Sequence, residues 1–106
     1  MNQETTNRWV EALRSGDYKQ GSMRLRSHDN NFCCLGVLCD IVDPEGWTQK
    51  EGSWVHHDRQ AYLSKRLMTE IGLNESDQGR LTAMNDIWDY DFDTIANEIE
   101  MLFPRQ

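Results

Sequence analysis

No apolar run in this chain approaches the roughly 20 residues a helix needs to cross a bilayer, and no basic segment leads into a short apolar one at its start. A helical membrane span and a secretory signal are therefore not expected, and the cytoplasm is the expected compartment. Cysteine is scarce and crowded: the three residues Cys33, Cys34 and Cys39 share one short window. An odd number so placed cannot staple distant segments, so reduced thiols are expected rather than a disulfide framework. Proline is limited to Pro44 and Pro104, each at a place where a helix must stop. There is no repeat, no low-complexity tract and no linker. Between residues 85 and 100 there is not one lysine or arginine.

What is present suits one small globular unit. At 106 residues a chain can bury about two-thirds of its unfolded surface, enough for a single modest core, and a second domain is excluded. A composition of 38% hydrophobic and 27% charged residues is that of an ordinary soluble protein. The net charge of −7 is unevenly spread. Residues 1–30 are near balance, with Arg8, Arg14, Lys19, Arg24 and Arg26 facing Glu4, Glu11, Asp17 and Asp29. The 85–100 stretch holds Asp86, Asp89, Asp91, Asp93, Glu98 and Glu100. Such a surface repels a phosphate backbone and speaks against duplex nucleic acid. It suits a basic protein surface, including that of a nucleic-acid-binding protein, or it is simply a solvated helix face.

Periodicity outlines the elements. Trp9, Val10 and Leu13 form an apolar stripe on a helix expected to be capped by Thr5 or Thr6 and ended at Gly16. In Ser22–Ser27, Met23 and Leu25 alternate with Arg24 and Arg26, which predicts a short strand with the arginines outward. The run Cys33–Val42 reads as a buried helix with Leu35, Leu38, Cys39 and Val42 on one face, although a buried strand fits such a short run too. Residues 47–56 read as a hairpin with a glycine near its turn and a tryptophan in each arm. Asp58 is the expected N-cap of a helix burying Leu63, Leu67 and Ile71 and closed by Gly72. A shorter helix follows over 78–86. The last is capped by Asp91 and buries Phe92, Ile95, Ala96, Ile99 and Leu102. The expected fold is α+β: a single domain over residues 1–106, with about four helices around the buried Cys33–Val42 segment, a short strand and a small β-hairpin.

Three constellations carry potential chemistry. A metal set would draw on Cys33 or Cys34, Cys39, and His56 or His57, but structural zinc prefers ligand pairs two to four residues apart, and these cysteines do not supply one. No metal and no cofactor are expected. Cys34-Leu35-Gly36-Val37 at a helix start resembles the nucleophile segment of papain-like amidases, with His56 or His57 as base, though no third orienting residue stands out. A buried structural thiol is the simpler reading, and no catalytic residue is assigned. Finally, Tyr18, Gln20, Arg24, Arg26 and Trp54, with Trp47 nearby, would form a pocket for an anionic nucleotide if the hairpin folds over the arginines, since guanidinium groups grip phosphate and rings stack on bases. Asn85-Asp86 beside Trp88 reads as a polar contact or a helix end.

The pattern Trp9-Val10-Glu11-Ala12-Leu13-Arg14-Ser15-Gly16, Tyr18-Lys19-Gln20-Gly21, Leu25-Arg26 and Phe32-Cys33-Cys34-Leu35-Gly36-Val37-Leu38-Cys39-Asp40 resembles a group of small hypothetical proteins of tailed phages. Leu81–Asp86 and Phe92–Ala96 resemble their carboxy-terminal segment. The resemblance implies an accessory protein acting in the infected host's cytoplasm and supplies no catalytic residues. The leading expectation is a non-catalytic binder that inhibits a host protein, as in anti-defence, through Asp86, Asp89, Asp91, Asp93, Glu98 and Glu100. The alternatives are a nucleotide-signal-sequestering protein using Arg24, Arg26 and a tryptophan, and a papain-like cysteine amidase. Four tryptophans in so small a chain would also permit a homo-oligomer surface.

Overall fold

Two helices carry the same buried pattern at i, i+3, i+4 and i+7: Thr6, Trp9, Val10 and Leu13 on α1 (Gln3–Arg14), and Phe92, Ile95, Ala96 and Ile99 on α5 (Phe92–Leu102). Such stripes need an apolar partner, and the two helices pack on each other. A computed structural model describes residues 1–104 and shows a single α+β domain of 42 × 27 × 23 Å. In chain order α1 is followed by β1 (Lys19–Gln20), β2 (Asn31–Phe32), α2 (Cys34–Val42), a 3-10 turn (Pro44–Gly46), β3 (Trp47–Lys50), β4 (Ser53–His56), α3 (Lys65–Ile71), α4 (Glu75–Asp86) and α5. No helix of the described residues is long and apolar enough to cross a membrane.

The centre is α2, whose residues from Cys34 to Cys39 are buried in succession. It is therefore enclosed all round, between α1 and α4, rather than apolar on one face. Close approach is set by Gly36, where a Cβ would lie 1.7 Å from the carbonyl oxygen of Leu25. That contact threads the Ser22–Arg26 segment across the helix, with Leu25 fully buried and its N–H donating to Gln60 O at 2.9 Å. The indole of Trp9 donates to Cys34 O at 2.9 Å, so the largest core side chain has no orphaned donor.

The strand expected at Ser22–Ser27 does not form. Met23 turns to φ +70 and donates its N–H to Asp86 Oδ1 at 3.0 Å, so the extended path breaks at the first apolar position. Parallel pairing is confined to β1 and β2, with Lys19 opposite Asn31 and Gln20 opposite Phe32. The hairpin β3–β4 is as expected, with Trp47 opposite His56 and a turn whose two central residues, Glu51 (φ +54) and Gly52 (φ +82), have the left-handed backbone that tight hairpins require.

Caps moved more than helices did. Asn2 caps α1, its side chain accepting from Thr5 N, while Thr6 turns its hydroxyl inward to Asn2 O. Asp58 caps nothing: with His57 it forms a second tight reversal (φ +47 and +64) between His56 and Arg59, and α3 starts later, under Ser64. Asn74 starts α4 three residues earlier than the apolar pattern suggested. Gly72 (φ +75) and Asp91 close α3 and open α5 as expected.

Candidate functional site

The cysteine-rich helix is scaffold. Cys33 is the N-cap of α2, its sulfur accepting from Gly36 N at 3.4 Å, and the Cys34 thiol donates to Leu81 O at 3.6 Å. Burial pushes the Cys33 thiol up to about 12 and those of Cys34 and Cys39 well above the ordinary value. A helix N-terminus favours thiolate, but complete desolvation opposes it and wins here. Neither imidazole pairs with a sulfur: the contacts of His56 and His57 run to Asp43 instead.

Of the five residues of the expected nucleotide pocket, Tyr18, Arg26 and Trp54 gather around Phe32 and Trp47, while Gln20 stands apart. Tyr18 donates to Asp40 Oδ2 at 2.6 Å, while Trp47 Nε1 donates to the other oxygen at 3.0 Å, so Asp40 ties two aromatic arms to α2. Burial first, and that bond to Asp40 second, raise the Tyr18 pKa. Gln20 faces the opposite way and donates to Asn85 Oδ1 and Tyr90 O. Arg24 is exposed, with only a long contact to Ser53. The hairpin does fold over Arg26, but the guanidinium then lies 3.7 Å from the centre of the Trp54 ring and near Phe32 and Trp47 as well. An internal cation–π contact worth about 1 kcal/mol thus occupies the face a base would stack on.

Sequence reasoning undervalued Asn85, which is buried and has every hydrogen-bonding position used. Its Oδ1 accepts from Cys34 N at 3.2 Å and Gln20 Nε2 at 3.0 Å; its Nδ2 donates to Gly21 O and Asp86 Oδ1, both at 2.8 Å. This side chain pins α2, β1 and the start of the Ser22–Arg26 segment to the end of α4. The acids divide by role. Asp86 is half-buried in that network, Asp91 caps α5, and Glu100 pairs with Arg14 at 2.5 Å. Among the described residues Asp89, Asp93 and Glu98 make no ion pair, and Asp89 and Asp93 are exposed.

Beside Asp89 lies an apolar knob. Ile87 is 75% exposed, Trp88 51% and Met23 68%, and the Met23 N–H bond to Asp86 holds the three at one end of α4. The backbone there is fixed: Ile87 and Trp88 both donate to Ala83 O, Tyr90 donates to Met84 O, and Asp89 adopts φ +54. A neighbouring hollow of about 300 Å³ is lined by Gln20, Gly21, Ser22, Asn85, Asp89, Tyr90 and Asp91. Clustered large apolar side chains on a surface, rimmed by polar groups, are the usual mark of a contact site.

A second concentration of functional groups lies across the molecule's hairpin. Asp43, at the end of α2, reaches His57 Nε2 with Oδ2 at 2.6 Å and lies 3.9 Å from His56 Nε2. His56 is fully buried, and burial lowers its pKa, which favours the neutral ring. Because a carbonyl only accepts, the 2.9 Å contact with Asp43 O places the proton on Nε2. Nδ1 is then a bare acceptor, buried without a partner, at a cost of about 1–3 kcal/mol. His57 sits in left-handed backbone, and such strain concentrates at working sites. The sequence signal was the adjacent histidines; the carboxylate missing from the set was unreadable because Asp43, the residue that ends α2, lies 13 and 14 residues before them and belongs to no motif.

The small α+β domain thus carries exposed apolar residues at the end of α4 and a separate histidine–carboxylate corner. The chain belongs to the family described as Domain of unknown function (DUF8296), which matches residues 1–63. That span runs from α1 through the hairpin to Leu63 and so includes the cysteine helix and both histidines of the corner, but not the knob's Ile87 and Trp88. No curated protein and no solved structure matches the chain.

Proposed function

We propose that this chain is a non-catalytic accessory protein of tailed-phage type that docks on a basic face of a host protein and inhibits it. The observation that carries the reading is the set Met23, Ile87 and Trp88, exposed on hydrogen-bonded backbone at one end of α4 and followed directly by Asp89. Rigid aromatic and aliphatic anchors bind with little ordering cost, and truncating such anchors removes most of an interface's affinity. The acids around them favour a basic partner, steer its approach, and make the association sensitive to salt. The contact set is thus narrower than the acidic stretch: Asp86, Asp91 and Glu100 serve the fold, and the docking acids are Asp89 and Asp93. The phage setting rests on the sequence resemblance.

Tagged full-length protein, with Ile87→Asp and Trp88→Ala variants alongside, tests this in host lysate at low and high salt. A photo-cross-linking residue at position 87 identifies what touches the knob. The expected result is a protein captured by the wild type, cross-linked at position 87, released by salt, and weakened at least tenfold in both variants. Capture of the same proteins in the same amounts by wild type and variants removes the proposal.

A further inference from the structure

We propose that Asp43, His56 and His57 form a binding site for one divalent transition-metal ion of the zinc class. Two imidazoles and a carboxylate are the donor set such borderline ions prefer, and one ligand atom from each residue lies within 4.8 Å of the others. A tetrahedral ion with bonds of about 2.1 Å holds its ligand atoms about 3.4 Å apart. The observed 2.6 Å between Asp43 and His57 must widen, the 3.9 Å between Asp43 and His56 must close slightly, and the two imidazole donors, within 4.8 Å of each other, must settle at the same spacing. These adjustments fall on the side chains open to solvent: Asp43 is 34% and His57 52% exposed, while His56 is fully buried.

The surrounding backbone leaves room at this point. A Cβ on Gly46 would fall 2.5 Å from His56 Nε2 and 2.7 Å from His57 Nε2, so glycine keeps both donor atoms clear. His57 N donates to Gly46 O at 3.1 Å, and the left-handed pair His57–Asp58 turns the second imidazole back toward the first, their centres 4.7 Å apart. Without that turn adjacent residues of a strand would point to opposite faces. An ion at His56 Nε2 takes the place of the 2.9 Å bond to Asp43 O, and the ring proton moves to Nδ1. Three protein ligands leave a fourth position, and the Asp43–His57 side opens on a hollow of about 260 Å³ that Ser64, Arg66, Leu67 and Glu70 also line. The cysteines take no part, so ligand spacing along the chain gave no warning of the site.

The experiment uses full-length protein stripped with a chelator and titrated with Zn²⁺ against a chromophoric competitor. His57→Gln, Asp43→Asn and His28→Gln are run in parallel, and circular dichroism verifies that each is folded. All three changes are at positions open to solvent, and His28 lies outside the cluster. One ion per chain is expected, with affinity at least tenfold lower in His57→Gln and Asp43→Asn and unchanged in His28→Gln. Nitrogen-15 spectra should show the His56 and His57 rings shifting with one equivalent of Zn²⁺. Less than one ion bound, or equal affinity in wild type and the two ligand variants, or loss in His28→Gln equal to theirs, overturns the site.

Discussion

Replacing Gly36 by alanine should unfold this protein at much lower temperature, and the sign of the effect is the informative part. Gly36 lies in α2 with ordinary helical backbone, so helix propensity alone favours alanine by about 1 kcal/mol. Against that, the added Cβ would meet Leu25 at 1.7 Å from O, 2.7 Å from C and 3.2 Å from Cα. A comfortable carbon–oxygen contact is about 3.3 Å, so the Leu25 backbone must withdraw by about 1.6 Å. It cannot do so and keep the bonds from Cys33 N to Leu25 O and from Leu25 N to Gln60 O. Each of those is worth about 1 kcal/mol, and unseating the fully buried Leu25 side chain costs about 2 more. The net loss is about 3 kcal/mol, a large share of the 5–15 kcal/mol typical of a domain. The melting temperature should fall by about 12–24 °C. Gly79, inside α4, is the control, because a Cβ there meets nothing within 4 Å. Thermal melts followed by circular dichroism should show Gly79→Ala unchanged or higher and Gly36→Ala far lower. If both variants rise together, close backbone packing at Gly36 is not what holds this fold.

Two further outcomes follow from burial. At about pH 8 the folded protein should resist iodoacetamide, because raising the Cys33 thiol from 9.0 to about 12 leaves roughly a thousandfold less thiolate than an ordinary cysteine, and Cys34 and Cys39 are raised likewise. One thiol per chain reacting as fast as free cysteine would overturn the scaffold reading and revive the amidase one. In metal-free protein, His56 has its pKa lowered from the ordinary 6.5 by burial, so the unfolded chain binds a proton near that pH that the folded chain refuses. Stability is then fully present above pH 6.5 and falls as pH drops below it, by at most about 1.4 kcal/mol per unit, until the folded pKa is passed. Urea midpoints between about pH 7.5 and 5.5 that stay flat or rise on acidification would contradict a neutral buried imidazole.

Much of the architecture was legible because it depends on short-range spacing. The stripe of Trp9, Val10 and Leu13, the α5 face behind Asp91, the Gly72 stop and the β3–β4 hairpin each follow from periodicity or from one residue's backbone preference. The expected strand at Ser22–Ser27 failed for a reason outside its own residues: Asp86 captures the Met23 N–H, and Gln60 takes the Leu25 N–H. Asp58 has the right chemistry for a cap, but the reversal at His56–Arg59 needed its left-handed backbone more. The acidic stretch was visible as composition and Asp91 as a cap, whereas the structural roles of Asp86 and Glu100 were not, since their partners Met23 and Arg14 are far away in sequence.

Taken alone, the chain determined an α+β unit built on a buried thiol-rich segment and an acidic carboxy-terminal half, because hydrophobic spacing and charge are properties of the residues themselves. Only the folded molecule decided that Arg26 spends its charge on Trp54, that Met23 joins Ile87 and Trp88 in one knob, and that Asp43 meets both histidines. Those meetings depend on how three turns and one glycine crossing place the backbone, and contacts of that kind have no period in sequence.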